Sequence, residues 1–181
     1  DPNNLALVEV PSWMNEESIP VTRELAMKVP AFARARTLLA STIARCPLIQ
    51  VKNGEPSVTP ELWLTDAGPG STPYHRMLWT IDDLITIGRS LWRITRDNGS
   101  PIRAEWWPPA LWSIDSHTRQ IMIADRTDEE MRVAEPGEVA LIIGPHEGIL
   151  NFAQTTIRQA NSLNRTATER SMTPTPVVVL K

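Results

Sequence analysis

Apolar residues near the start of the chain repeat with the period of a helix. In residues 22–46 they recur at steps of three and four, which predicts a helix with one buried stripe. Pro30 suits the first turn of that helix, because its missing N–H costs nothing there, and Pro47 ends the helix. The stripe consists of Phe32, Ala35, Leu39, Thr42 or Ile43, and Cys46.

A second helical pattern follows a turn-rich segment, residues 60–73, which is predicted to be a surface loop. The pattern covers residues 72–88 and opens on a Thr-Pro pair that is typical of a helix start. Thr80 and Asp83 have the spacing of a capping box, which predicts that the helix restarts there. Asp82 and Asp83 would then lie at the positive end of a helix dipole, where carboxylates are stabilised.

From residue 89 the apolar period changes to two, the period of strands. SLWRITRDNGSPIRAEWWPP predicts a hairpin closed by an Asp-Asn-Gly turn, and LWSIDSHTRQIMIA predicts a second hairpin across residues 116–119. DRTDEEMRV predicts a polar loop and a short strand, and EPGEVALIIG predicts a turn and a buried strand. Helices followed by antiparallel hairpins define an α+β fold class.

The last long pattern, residues 149–171, predicts a helix with little to bury. A helix of about 24 residues is roughly 36 Å long, which is too long for a domain of this size to cover. Its apolar stripe is narrow and mostly alanine, whereas a helix packed on its own core has a broader stripe. We therefore expect the helix to project and to be covered by neighbouring subunits. The stripe consists of Ala153, Ile157, Ala160, Leu163 and Ala167, with Ile149 and Phe152 at its base.

Two arginines of the same helix are candidates for contacts outside the subunit. Arg158 and Arg165 are seven residues apart, so they lie on nearly the same face. That face would meet acidic residues of the adjacent subunit, line a DNA passage with weak phosphate contacts, or stay solvated. The sequence leaves these three alternatives open.

The composition favours an ordinary globular domain, alone or with an appendage. The chain has 181 residues, of which 41% are hydrophobic and 22% are charged. A net charge of −3 and a pI of about 5.7 argue against a protein that grips DNA phosphates tightly. Cys46 is the sole cysteine, which excludes an internal disulfide and fits a reducing compartment. Neither a signal peptide nor a membrane-spanning segment is expected.

The strongest candidate for catalysis is the pair His146 and Glu147 in the sequence GPHEG. Adjacent side chains usually point apart, however, and neither residue has an evident third partner. The favoured interpretation is a turn between a strand and a helix, in which Gly148 permits the bend. The three histidines lack the spacing of a zinc site, so no metal and no cofactor are expected. A protein that is not an enzyme is predicted, and a hydrolase that uses His146 is the weaker alternative.

The seven tryptophans could stack on bases or sugars, but hairpin pairing explains several of them. Trp92 and Trp106 or Trp107 lie on facing strands of one predicted hairpin. Cross-strand packing into the core is the simpler role for them. The other tryptophans are Trp13, Trp63, Trp79 and Trp112.

The order of several segments resembles the portal proteins of tailed bacteriophages. VPAFARARTLLASTIARCPLIQV is similar to the family's early helix and the strand after it, and MLWTIDDLITIGRSLWRITRDNGSPI to its helix and hairpin. EWWPPALWSID is similar to the next strand, EVALIIGPHEGILNFAQTTIRQA to the passage into a long helix, and TPTPVVVLK to the segment beyond it. The likeness covers residues 25–181. The usual Gly-Asn-Ala of the family is replaced here by Gly88-Arg89-Ser90.

The resemblance implies a structural subunit of a ring, usually a dodecamer, at one vertex of the viral head. Such a ring is the conduit for packaging and ejecting double-stranded DNA. It docks the terminase and later the head-completion or adaptor proteins, and it sits among capsid and scaffold proteins. It belongs to the virion, and to the bacterial host cytoplasm during assembly.

The same resemblance implies a division of the chain. Residues 1–24 would be an irregular arm, 25–147 a wing-like domain, 148–173 a stem-like helix, and 174–181 the start of a clip-like strand that is truncated here. The alternative is a non-catalytic phage or bacterial adaptor module that uses the hairpins of residues 89–147 as its interaction surface.

Overall fold

The computed structural model describes residues 20–57 and 59–172, which form helices and small antiparallel sheets. The helices are α1 (Arg23–Met27), α2 (Pro30–Ala44), α3 (Leu62–Thr65), α4 (Pro73–Thr86), α5 (Ile149–Phe152) and α6 (Gln154–Met172), with a 3₁₀ turn at Pro109–Leu111. The strands are β1 (Val51–Lys52), β2 (Glu55–Pro56), β3 (Arg89–Asp97), β4 (Ser100–Trp107), β5 (Trp112–Ile114), β6 (Ile121–Ile123), β7 (Arg132–Val133) and β8 (Val139–Ile143).

The strands of the described residues pair in three antiparallel sheets. β1 pairs with β2, β3 lies between β4 and β8, and β6 lies between β5 and β7. Both predicted hairpins form, as does the short strand after the polar loop, so the α+β class is confirmed. The expected clip-like strand at 174–181, Trp13 and most of the predicted arm lie outside the described residues.

The first predicted helix is two helices, and its predicted buried stripe is wrong. The Thr22 side chain caps α1, and Pro30 is the first residue of α2. α2 packs on α4 through Ala40 and Ala44, while Leu39 and its neighbours face outwards. Small side chains let the two helices approach closely, which the larger apolar residues of the predicted stripe would prevent.

The central sheet presents two different faces, because alternate residues of a strand point to opposite sides. On one face, Trp92 and Trp106 are paired across β3 and β4 and lie against α4. On the other face, Leu91 packs with Trp112 and Ile123 of the β5–β6–β7 sheet. The contacts therefore run in succession from α2 to α4, to the central sheet, and to the third sheet.

Arg76 of α4 ties three elements together from a fully buried position. Its guanidinium donates to the main-chain oxygens of Trp63 at 2.7 Å and Leu64 at 2.9 Å, both in α3, and to that of Ala104 in β4 at 2.8 Å. A longer bond of 3.3 Å reaches the carbonyl of Asp66. The segment that was predicted to be a surface loop thus contains a short helix, and its buried end is fixed by this arginine.

Replacing Arg76 by methionine is expected to destabilise the fold severely. Methionine fills most of the volume but leaves the carbonyl oxygens of Trp63, Leu64 and Ala104 without this donor. Since each buried acceptor that loses its partner costs on the order of 1–3 kcal/mol, the unfolding free energy should fall by at least ~3 kcal/mol. Urea denaturation measures the loss. Arg34→Met, at an exposed position of α2, is the matched control and should stay within about 0.5 kcal/mol of the parent. Equal stabilities of the two variants would contradict the assignment.

Candidate functional site

The first turns of α6 belong to the core of the protein. Ile157 is buried with Val21, Ala26 and Leu150 in one apolar cluster, and Ala153 packs against that cluster. The Asn161 side chain donates to the carbonyl of Leu25 in α1 at 3.0 Å. These contacts fix the base of the helix and its direction relative to the rest of the chain.

The remainder of α6 extends beyond that core. Every residue from 163 to 172 is exposed, and Leu163 and Met172 expose 71% and 79% of their surface. These ten residues correspond to roughly 15 Å of helix. The projecting helix predicted from the sequence is therefore confirmed. The prediction of one continuous helix is wrong, because Ala153 (φ −107°, ψ 22°) interrupts it between α5 and α6.

The predicted stripe divides between the base and the projection of α6. Ile157 is buried, Ala153 and Ala160 are half-buried, and Leu163 and Ala167 are exposed. The stripe thus begins in the core and continues along a surface that no described residue covers. Leu163 and Ala167 are therefore available for contact with a further apolar surface.

The two arginines of α6 take part in contacts along their own helix. Arg158 is half-buried and donates to the Gln154 side chain at 3.3 Å. Arg165 lies 3.8 Å from the Glu169 carboxylate, an exposed i,i+4 ion pair. Both arginines lie on a side of the helix different from that of Leu163 and Ala167.

The GPHEG segment is a turn, as the favoured interpretation predicted. It joins β8 to α5, and the His146 ring accepts a hydrogen bond of 3.1 Å from the Gly148 N–H through Nδ1. The ring also meets Phe152 edge-on, at 5.8 Å between centroids. Gly148 has φ +86°, and a Cβ there would overlap the main chain of Ile87 and Gly88. The segment is therefore the place where the start of α5 crosses the α4–β3 junction at van der Waals contact.

The carboxylates of Asp82 and Asp83 do not lie at a helix start, so that prediction is wrong. α4 begins at Pro73 under a Thr72 cap and runs unbroken to Thr86, which places both residues near its C-terminal end. Asp82 is buried and forms ion pairs with Arg23 of α1 and Arg36 of α2. Neutralisation by two arginines replaces the dipole as the reason that this carboxylate is tolerated.

Asp83 is buried without an ion pair to any residue that the structure describes, and its hydrogen bonds come from neutral donors. Its Oδ2 accepts hydrogen bonds from the Trp106 indole at 2.6 Å and the Ser90 hydroxyl at 2.9 Å. Burial raises the pKa of this carboxyl to about 6, while the two hydrogen bonds oppose the rise. The carboxyl is therefore protonated only below about pH 6, and it lies in the buried interface between α4 and the central sheet.

The tryptophans on the hairpin pack in the core, as the simpler interpretation predicted. Trp92 is directly opposite Trp106 in the β3–β4 ladder, and its indole donates to the Thr80 hydroxyl at 2.7 Å. The Trp107 indole donates to the carbonyl of Ala124 at 3.2 Å, which joins the central sheet to the third sheet. These contacts commit the indole N–H groups to the interior.

Sequence reasoning missed Arg76 and the polar ridge of which it is part. Arg76, Thr80 and Asp83 are spaced by four and three residues, so they share one face of α4, and all three are buried. That spacing was a usable signal, because a helix with three polar residues on one face must supply each with a partner.

Neither a metal centre nor a membrane span occurs in the described part of the chain. Residues 20–57 and 59–172 contain no group of three or more His, Cys, Asp or Glu side chains that could hold a metal ion. Within the same residues, no helix combines the length and the apolar character needed to cross a bilayer.

Solved structures that are similar to this chain include the following two. An HK97-family phage portal protein from Corynebacterium diphtheriae matches with a TM-score of 0.69 and 34% identity, over 86% of this chain and 52% of that chain. The neck of an empty GTA particle, with C6 symmetry, matches with a TM-score of 0.64 and 13% identity, over 87% of this chain and 48% of that chain. The second likeness shows the fold alone. No protein-family profile matches the chain, and no curated protein sequence matches it significantly.

The fold is that of a phage portal protein, so the resemblance expected from the sequence is confirmed. Within that class, the chain is similar in sequence as well as in fold to the HK97-family portal protein. It spans about half the length of the chains that it matches.

The raised pKa of Asp83 predicts that stability falls as pH rises from about 4 to about 6. In that window the folded carboxyl keeps a proton that the unfolded one, with a pKa of roughly 3.9, has lost. The contribution amounts to at most about 3 kcal/mol. Asp83→Asn accepts both hydrogen bonds but does not titrate, so its urea stability should lack this fall.

The control for this experiment is Asp128→Asn, at an exposed carboxylate of the polar loop. Its stability should follow the parent across the same pH range. Parallel profiles for the parent and Asp83→Asn would show that Asp83 does not titrate differently in the folded protein.

Proposed function

We propose that this chain is a structural subunit of a phage portal, the head-tail connector through which double-stranded DNA is packaged and ejected. The observation that carries the proposal is the projection of α6, on which exposed Leu163 and Ala167 continue the apolar stripe where no described residue covers it, in a chain with a portal fold. Exposed apolar side chains on a projecting helix favour the packing of another apolar surface against them. Neighbouring subunits of a ring supply such a surface.

The proposal includes the division of the chain that the resemblance implies. Residues 1–24 form an arm, 25–147 a wing-like domain, 148–173 a stem-like helix, and 174–181 the start of a clip-like strand. In support of it, Ile157 in the third segment is buried in the core, whereas residues 163–172 of the same segment are exposed. The ring would be a dodecamer at a capsid vertex, assembled with scaffold in the host cytoplasm and retained in the virion.

The proposed partners follow from the same role. A portal ring presents docking sites for the terminase during packaging and for head-completion or adaptor proteins afterwards. Contact with the DNA in the channel would be weak and non-specific, since the chain has a net charge of −3 and few cations on α6. A conduit needs the DNA to slide, which tight phosphate binding would prevent.

An aspartate on the exposed stripe of α6 is expected to prevent ring formation without unfolding the subunit. Leu163→Asp places a carboxylate in the proposed helix–helix contact, whereas the residue has little packing to lose within one copy. Thr168→Asp, at an exposed position on the opposite side of the helix, is the matched control. Electron microscopy and sedimentation of the full-length protein measure assembly, and thermal unfolding checks the fold.

The parent and Thr168→Asp should form rings, and Leu163→Asp should not. A parent protein that stays monomeric would count against the portal role and in favour of an adaptor module. Rings of unchanged stability in Leu163→Asp would show that this stripe does not lie between subunits.

Charge reversal of the two α6 arginines distinguishes their alternative roles. If Arg158 and Arg165 meet acidic residues of the adjacent subunit, Arg158→Glu/Arg165→Glu should impair assembly. If they line the DNA passage, rings should form but should package less DNA, because phosphates would be repelled. Sedimentation and a packaging assay measure the two outcomes. Unchanged assembly and packaging would leave the arginines as a solvated face.

A further inference from the structure

The outward side of α2 is apolar in its middle and cationic at both ends. Leu38, Leu39 and Ile43 are 65%, 50% and 42% exposed, although a helix packed on one side normally keeps such residues for its buried side. Arg34 and Arg45 are exposed and share a side of the helix with Leu38. We refer to Arg34, Leu38, Leu39 and Arg45 as the α2 outer face.

The charge of this region has one sign. Residues 25–54 contain five lysines and arginines and no aspartate or glutamate. Arg36 is used inside the subunit, where it pairs with Asp82. Neither Arg34 nor Arg45 forms an ion pair with any residue that the structure describes. The α2 outer face therefore combines an apolar centre with cations that no described residue neutralises.

A surface of opposite charge lies on the third sheet and the loop before β7. Met131 and Val133 are 37% and 45% exposed, and Met131 lies beside Ser113 of β5, at 3.4 Å from its hydroxyl. Asp128, Glu129 and Glu130 precede them as three consecutive exposed carboxylates. We refer to residues 128–133 as the acidic segment; its one cation, Arg132, is already paired with Glu138 of the same subunit.

The order of the contacts places these two surfaces at opposite ends of the subunit. α2 buries Ala40 and Ala44 towards α4, so its outer face points away from α4. α4 covers one face of the central sheet, and the third sheet covers the other. The acidic segment belongs to the far side of the third sheet, where Val133 pairs with Met122 of β6. The two surfaces cannot meet within one copy of this fold.

We propose that the α2 outer face of one copy binds the acidic segment of the next copy, head to tail. A ring requires a heterologous contact, in which two different surfaces on opposite sides of each subunit are complementary. These two surfaces match in kind, since each has an apolar centre beside charged residues and their charges are opposite. The inference rests on the proposed ring and adds the surfaces that close it.

A symmetric contact between two α2 outer faces is excluded by the same charges. It would bring Arg34 and Arg45 of one copy against those of the other, and like charges across an interface are repulsive. A contact between two acidic segments would likewise bring carboxylates of one copy against carboxylates of the other, which is repulsive. The charge pattern therefore favours the pairing of the α2 outer face with the acidic segment. Repetition of that pairing gives either an open filament or a closed ring of copies.

Disulfide cross-linking tests the contact directly. Thr42→Cys, in the centre of the outward side of α2, is combined with Glu129→Cys in a Cys46→Ser background. Mild oxidation of the full-length protein should then give a ladder of covalent species beyond the dimer, because every copy carries both halves of the contact. Each single-cysteine variant can give dimers at most and is the control. A double variant that yields no species beyond the dimer overturns the proposal.

Charge exchange provides a second measurement that does not depend on cysteine chemistry. Arg34→Glu/Arg45→Glu should weaken association about tenfold or more at low salt, and adding Asp128→Lys/Glu130→Lys in the same chain should restore it. The substituted arginines and the substituted carboxylates are all exposed, so the thermal unfolding temperature should not change. Lack of any effect, or loss that the exchange does not restore, contradicts the pairing.

The outcomes separate this inference from the proposed function. Intact rings in Arg34→Glu/Arg45→Glu, together with no ladder in the double-cysteine variant, would leave the portal role standing and place the contact elsewhere. A parent protein that forms no ring and no ladder would remove both. A ladder without closed rings would support the contact and count against the ring.

Discussion

The fold depends on how the charge of one buried cation is stabilised by hydrogen-bond acceptors. Arg76 lies in the interior, and among the described residues its hydrogen bonds go to main-chain carbonyls of α3, of Asp66 and of β4. Its Cζ also lies 4.6 Å from the centre of the Trp92 ring, which adds a cation–π contact. A guanidinium can satisfy that many acceptors only when all three elements are in place. Arg76 therefore couples the formation of α3 to the docking of α4 on the sheet.

The same requirement explains the other polar groups of α4. Thr80 and Asp83 follow Arg76 along one face, and the sheet meets them with the indole N–H groups of Trp92 and Trp106. The tryptophans thus serve as apolar filling and as donors at once. The interface between α4 and the central sheet is polar in its centre and satisfied there, which fixes one register between helix and sheet.

Local signals predicted the hairpins, because a turn and alternating strands are encoded within a few residues. They failed where partners are distant in sequence. The position of Asp82 depends on Arg36, 46 residues away, and a capping rule that considers four residues cannot include it. Packing against α4 likewise determines which side of α2 is buried, because the small side chains of Ala40 and Ala44 allow the two helices to approach closely. The apolar side that the sequence pattern had assigned to the core was left outside.

The exposed stretch of α6 and the α2 outer face carry different weight as support for the proposed assembly. An exposed helix such as α6 accepts any apolar surface, whether that surface belongs to the same chain or to a neighbour. The exposure of α6 alone therefore does not separate covering by its own chain from covering by a neighbour. The α2 outer face and the acidic segment are different, because they complement each other from opposite ends of the same fold. Two such surfaces can meet only between copies, so this geometry, more than exposed area, is what supports the proposed ring.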